Sequence, residues 1–457
     1  MRPTLLLFTL AAVVAAPPVP ARAAEPALHV AFQRYRLPNG LTVILHQDHT
    51  LPQVVVDLWF RVGSKDERVR RTGFAHLFEH LMFMGTKNVP NGQYDAIMEA
   101  QGGSNNASTS EDRTNYFDVG PSNLLETFLW LEADRLATLP DAMTKAKVDL
   151  QRDVVKNERR QSYENRPYGG VELVIPEKMY PPGHPYHHPV IGSMADLSAA
   201  RVEDVKAFFR SHYVPSNASL VVAGDFKPDE AKKLVDRYFG WMPRAPEPPH
   251  AVPPPATLTK SVRVDLKDAV ELDQVNLVWH APAELQNGDA ECQLLAALLG
   301  GGHSSRLEKA LIYDQKIASE VVVEDRPLRF GGNFVISATA QPGHTAAELE
   351  KAIDVELGKL LELREPPTER EVARARVFVE TQILRQVASL FGMADMLNEY
   401  QFVTGDPGGL ERGLVARFSH LGPSDVTWAA RRYLSQPRLT VTVRPKKSPA
   451  KEVAHAE

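Results

Sequence analysis

Two histidines and a glutamate, in the stretch His76-Leu77-Phe78-Glu79-His80, are the residues of this chain whose types and spacing could do chemistry. On a helix, positions i and i+4 stand one turn apart and point the same way. His76 and His80 could therefore reach one cation while Glu79 projects beside them. The order inverts the commoner H-E-x-x-H zinc motif. Two ligands do not complete a catalytic zinc site, which typically takes three protein ligands and leaves a fourth position for water, whose pKa falls towards about 7.

The flanking residues predict the helix that must hold them. Thr72-Gly73 starts the segment, Phe74, Leu77, Phe78, Leu81 and Met82 fall on an apolar face, and Gly85 supplies the stop. A second helical pattern with few breakers runs from Lys145 to Gln161 and carries Glu158, a candidate third ligand. On spacing alone Glu132, Asp153 and Glu164 could serve as well, each equally readable as a solvated helix acid.

The rest of the chain bounds what such a site could serve. Its 457 residues suffice for two or three domains with sizeable cores, and a net charge of −5 gives no basic field for nucleic acid. Residues 1–23 read as a secretory signal peptide: Arg2, an apolar run from Leu5 to Ala16, then Ala21-Arg22-Ala23. The expected location is therefore periplasmic or secreted. The run is too short to span a bilayer core of about 30 Å, so no stable membrane span is expected. Cys292 is the only cysteine, which leaves stability to packing.

Proline crowds residues 243–258, the expected linker between an N-terminal metal-binding domain over 24–242 and a C-terminal domain over 259–447, with a polar tail at 448–457. The two stretches end alike. Glu203-Asp204-Val205 leads through a helix to Tyr213 and a strand at 219–223; Ser424-Asp425-Val426 leads through a helix to Tyr433 and a strand at 439–443. They also begin alike, with strands at 54–60 and 275–280 each followed by a loop and a helix, the second helix (290–299) lacking a histidine pair. The expected fold class is α+β: two homologous domains, each a mostly antiparallel sheet packed against helices, the second without metal ligands.

Three smaller features carry weaker signals. Arg306 and Tyr313 lie seven apart in a predicted short helix, two turns on one face. Gly300-Gly301-Gly302 reads as a hinge-like turn, since no G-K-[ST] follows it. His184, His187 and His188 share no helical face, which favours loop packing over metal binding.

His76-x-x-Glu79-His80 followed at this distance by Asn157-Glu158 resembles the pitrilysin or insulinase family of inverzincin metallopeptidases, over nearly all of residues 30 to 445. Gly102 to Ala107, Thr114-Asn115-Tyr116 and His184-Pro185-Tyr186 before Pro189-Val190-Ile191-Gly192 resemble family segments too. The resemblance implies one Zn²⁺ per chain on His76, His80 and Glu158. Glu79 would act as general base on the attacking water and pass the proton to the leaving amine. It implies peptide substrates bound by strand addition near Asn106 and Ala107. It also implies that Arg306 and Tyr313 reach a neighbouring chain's zinc site and steady the oxyanion, so that this half-length member forms a homodimer or a heterodimer with a related subunit. Some members carry a glutamate where this chain has Gln151, which keeps the hydrogen bonding and drops the charge. The expected function is a zinc-dependent endopeptidase acting on peptides or small unfolded polypeptides. The alternative is a catalytically silent scaffold or binding subunit of a larger complex.

Overall fold

Two sheets, built largely from β-branched runs that alternate in burial in some strands, such as Val262–Asp268, and are buried throughout in others, such as Ala218–Gly224, form in this computed structural model, which describes residues 29–250, 252–413 and 416–446. The expected leader and polar tail lie outside the described residues. The first sheet contains β1 (Gln33–Arg36), β2 (Thr42–Gln47), β3 (Gln53–Phe60), β4 (Ser104–Thr109), β5 (Thr114–Pro121) and β6 (Ala218–Gly224), in spatial order β1-β2-β6-β3-β5-β4. The second contains β7 (Val262–Asp268), β8 (Gln274–His280), β9 (Ala318–Arg326), β10 (Asn333–Ala340) and β11 (Leu439–Pro445), in order β7-β11-β8-β10-β9. Setting β1 aside, the two orders are identical. Each sheet has one parallel pair, β2–β6 or β7–β11, and is otherwise antiparallel. The α+β duplication expected from the repeated chain ends is thus written in the topology.

Five helices hold the site or join the two halves: α1 (Phe74–Leu81), α2 (Lys145–Arg159), α3 (Gly170–Met179), α4 (Glu369–Val387) and α5 (Leu390–Thr404). Strand β6 is buried along its whole length because helices cover both sides of the sheet. Leu220 and Val222 point into the core that holds α1; Val221 and Ala223 point the other way, against Ala394 and Leu397 of α5. The second sheet receives the reciprocal helix, with Val171, Ile175 and Met179 of α3 packing on Val278 of β8 and Val441 of β11. Each half therefore covers the outer face of the other half's sheet. The strands of the two sheets lie on opposite sides of the proline-rich segment, whose described residues, 243–250 and 252–258, form no helix or strand, and α3 and α5 pack across that division.

Two helices depart from the predicted pattern. The long pattern from Lys145 stays helical to Arg159 and then loosens into a π turn at Arg160–Glu164. The helix starting at Arg306 is α-helical only to Glu308 and continues as a π turn over Lys309–Asp314, closed by the Gln315 N–H on the Ala310 carbonyl at 3.0 Å. With i→i+5 bonding, seven residues span fewer than two turns, and the strict alignment expected for Arg306 and Tyr313 is lost.

Candidate metal centre

Helix α1 owes its position to Phe74, Leu77, Phe78 and Leu81, all buried in the first core. Phe78 lies among Phe208, Phe209 and Tyr213, with ring centroids 6.1, 5.2 and 4.5 Å away. Burying that face turns His76, Glu79 and His80 towards α2, where Glu158 meets both imidazoles. Its Oε1 lies 3.6 Å from His76 Nε2 and its Oε2 3.2 Å from His80 Nε2. The potential ligand atoms of His76, His80 and Glu158 all fall within 4.8 Å of one another. Two donors each about 2.0–2.2 Å from a tetrahedral zinc lie about 3.3–3.6 Å apart, so the donor types and spacing fit that ion.

The electrostatics suit neutral imidazole ligands in part. Burial, then the neighbouring His80, pulls His76 down to about 4 against the opposing pull of Glu158, so at neutral pH it is uncharged rather than one arm of an ion pair. For His80, burial acts downward but the hydrogen bond and charge of Glu158 outweigh it and raise the imidazole. Glu158 is held below its ordinary range: burial would raise it, and the hydrogen bond from His80 together with the neighbouring His76 and His80 rings overrides this. Gln151, two turns before Glu158, donates to Met84 Sδ at 2.8 Å and also hydrogen-bonds His80.

Glu79 stands apart from the trio. Its Oε2 accepts the hydroxyl of Thr109, the last residue of β4. Burial raises the Glu79 carboxyl, and the Thr109 hydrogen bond partly offsets it. Strand β4 ends the sheet order and pairs only with β5, which leaves its outer backbone edge beside α1. Asn106 and Ala107 sit on that edge, and the Ala107 N–H donates to the Asn106 side-chain oxygen at 2.8 Å.

Three residues that position α1 carried no readable signal beforehand. Glu67, fully buried, accepts the N–H groups of Gly73 at 2.8 Å and Ala75 at 2.7 Å and so caps the first turn. Asp196 holds Thr72 through its N–H at 3.1 Å and its hydroxyl at 2.6 Å. Gly192, in the segment Pro189 to Gly192, lies against Gly73 while its carbonyl accepts from Arg159, the neighbour of Glu158. One loop thus joins α1 to α2. Thr109 and Gly192 are not zinc-ligand types, and Glu67, a carboxylate like Glu158, spends its oxygens on the backbone of α1 instead.

The histidines of the 184–188 loop serve packing. His184 stacks on Tyr180 with centroids 4.9 Å apart and accepts the Tyr186 N–H at 3.1 Å, and His187 Nδ1 lies 2.7 Å from the Tyr180 carbonyl. Arg306 is engaged within the C-terminal half. Its guanidinium makes a two-pronged contact with Glu371 at 2.8 and 2.9 Å and donates to the carbonyls of Glu365 at 2.7 Å and Pro366 at 3.1 Å. Tyr313 is exposed, its ring edge-on to His303 at 6.0 Å. Neither side chain touches the His76, His80 and Glu158 group of its own chain in these contacts.

Comparison with known proteins accounts for both halves. The family model described as "Insulinase (Peptidase family M16)" matches residues 42–183, and the one described as "Peptidase M16 inactive domain" matches residues 199–377. The "Zinc protease PqqE" of Helicobacter pylori is 30% identical over 410 residues, 88% of this chain and 90% of that protein. An uncharacterized zinc protease of Mycobacterium leprae is 28% identical over 327 residues, 70% and 72% of the two chains. The crystal structure of a protease from Helicobacter pylori superposes with a TM-score of 0.84 at 28% identity, covering 91% of this chain and all of that one. The periplasmic protease PqqL from Escherichia coli shares the fold at a TM-score of 0.75 and 18% identity, this chain matching 48% of its length. With sequence likeness running through both halves and the duplicated sheets in common, the chain belongs to the insulinase family of peptidases, family M16.

Proposed function

We propose that this chain is a zinc-dependent endopeptidase acting on peptides or small unfolded polypeptides. The observation that carries the proposal is the convergence of His76, His80 and Glu158 within one ion's reach, beside a carboxylate tied to an edge strand. Zinc held by these side chains would supply Lewis acidity and an acidified water. Glu79 takes the proton of the attacking water and delivers it to the leaving amine, a dual role that a carboxyl raised by burial suits. Thr109 fixes the carboxylate that moves the proton. The outer edge of β4 pairs with the substrate backbone once the Asn106 side chain releases the Ala107 N–H.

Arg306 and Tyr313 act in this proposal on the zinc site of a second chain, a homodimer partner or a related subunit. No helix among the described residues is long and apolar enough to cross a membrane, and the proposal includes export through the leader of residues 1–23. The match of residues 199–377 to an inactive-domain model starts after His76, Glu79, His80 and Glu158 and includes none of them, so it does not favour a silent scaffold over an enzyme.

Peptide hydrolysis and zinc content measured together on wild type and Glu79→Gln, with and without chelator, test the function. Glu79→Gln should keep its zinc and lose activity by about 10²–10⁴-fold. Equal, chelator-resistant activity in both would sink the mechanism. Mixing inactive Arg306→Ala with inactive Glu79→Gln should restore part of the activity, and no recovery would refute action between chains.

A further inference from the structure

A cleft of about 440 Å³ opens on the face of the first sheet away from the metal centre, where the C-terminal end of α5 meets β1, β2, β6 and β3. Register places its floor. Arg36 of β1 lies opposite Thr42 of β2, and Thr42 opposite Ser219 of β6, so the three residues cross one face in a row that leads towards Trp59 of β3. Arg34 and Arg61 flank the row, and Gln401 of α5 and Glu247 of the proline-rich segment form the remaining wall.

Charge and hydrogen bonding are both unbalanced there. Three guanidiniums face one carboxylate, and that carboxylate is shared: Glu247 Oε1 lies 3.5 Å from Arg61 and 3.8 Å from His250. Among the described residues no carboxylate pairs with Arg34 or Arg36; Arg36 donates only to the Gly40 carbonyl at 2.8 Å. Arg61 NH2 and Arg329 NH1 both use the Phe402 carbonyl, at 3.3 and 2.9 Å. Burial, then the nearby charge of Arg329, pulls the Arg61 guanidinium below its ordinary range; Glu247 offsets this only in part, and Arg36 adds to the fall.

Two polar side chains at least nine-tenths buried complete the cleft without partners of their own. Ser219, 1% exposed, has its hydroxyl unbonded, and Gln401, 7% exposed, has its amide oxygen unbonded. Buried polar atoms are almost always satisfied, so two orphans lining the same cleft as three guanidiniums mark a place where something else supplies the partners. A serine hydroxyl donates readily to an anion, and an amide can present its NH₂ instead by turning over.

We infer that this cleft binds a small oxyanion, of carboxylate or phosphate type, held by Arg34, Arg36 and Arg61 over Ser219 and Gln401. Guanidinium forks match the paired oxygens of either group. The site is separate from peptide hydrolysis and lies at the seam of the two halves, built from the first sheet, the exchanged helix α5 and the linker. An occupant would clamp that seam.

Calorimetric titration of the full chain with sodium phosphate and, separately, sodium succinate at matched ionic strength tests this. At least one anion should bind saturably at one site per chain. The double variant Arg34→Gln, Arg36→Gln should weaken binding about tenfold or more, with zinc content and anion-free peptide hydrolysis unchanged. Ser219→Ala, which deletes one oxygen from a buried strand, should weaken it several-fold with an unaltered circular dichroism spectrum. Saturation by phosphate alone assigns a phosphate-type ligand, by succinate alone a carboxylate, and by both an unselective oxyanion site. No saturable binding of either, or the same affinity in the variants as in wild type, overturns the inference.

Discussion

Gly192 lies against Gly73, backbone on backbone. Both have positive φ, 72° and 86°, and a Cβ on Gly192 would overlap the Thr72 carbonyl and the Gly73 backbone. The contact sits between the start of α1, which carries His76 and His80, and Arg159 beside Glu158. Any side chain here pushes the two ligand-bearing helices apart. Gly192→Ala should therefore cost about 2 kcal/mol or more of stability, through strain and displacement. It should also weaken zinc binding roughly 10- to 100-fold, the range seen when groups supporting metal ligands are lost. Chelator competition and thermal melting report the two effects, and wild-type zinc affinity in the variant would refute the stapling role.

Thr109 controls Glu79 by a single hydroxyl. Burial raises the Glu79 carboxyl and the Thr109 hydrogen bond lowers it, so removing the bond raises it further. A general base works ionised, so the acid limb of kcat/KM should move to higher pH in Thr109→Val. The rate on the plateau should fall about tenfold with zinc content unchanged. A limb that stays in place or moves to lower pH would show that Thr109 does not govern the protonation of Glu79.

Arg306 and Glu371 make a pH-dependent clamp at the start of α4. Burial alone would raise the Glu371 carboxyl, but the Arg306 hydrogen bonds, the Thr368 N–H and the Arg306 charge outweigh it and hold it at about 2, below its ordinary 4.5. A carboxylate depressed by folding contributes stability above its unfolded pKa and loses it as pH falls through the folded value. Glu371→Gln should therefore be less stable than wild type at pH 6, with the difference shrinking from about pH 4.5 down to about pH 2. A constant difference across that range would contradict the clamp. Because Arg306 is half of it, Arg306→Ala should also loosen its own chain, and stability must be measured alongside the mixing experiment.

How far the sequence could be read depends on how local each feature is. The pentapeptide from His76 to His80 was legible because helical periodicity alone brings its side chains to one face, and the duplicated chain ends because β6 and β11 fill the same place in their sheets. Glu158 needed a family resemblance, since it lies 78 positions after His80 and several acids lie between. Thr109, Glu67 and Gly192 were not legible: each acts through a contact that only the assembled fold creates, and the Glu67 carboxylate caps a helix rather than meeting the histidines. The π turn after Glu308 escaped because its residues still read as helix formers, while the change of hydrogen bonding that rotates Tyr313 leaves no mark in composition.

Nor was the exchange of helices between the two halves legible, because α3 and α5 are apolar enough to suit either sheet. Its consequence is mechanical. Leu397 of α5 is buried on β6 with Val221 and Ala223, and Ile175 of α3 is buried on β11 with Val441. Unfolding the C-terminal half strips a helix from the first sheet and exposes its apolar outer face. Unfolding the N-terminal half does the same to the second. Neither half can then persist alone, and the chain should unfold in one transition by heat or urea despite its two cores. Leu397→Ala and Ile175→Ala should each lower stability by about 2–5 kcal/mol, the range for truncating a buried aliphatic side chain. Each should shift the whole transition, read both by circular dichroism and by tryptophan fluorescence from Trp59 and Trp279, one in each sheet. Two separable transitions, with each variant moving only one of them, would show that the exchanged helices do not couple the halves.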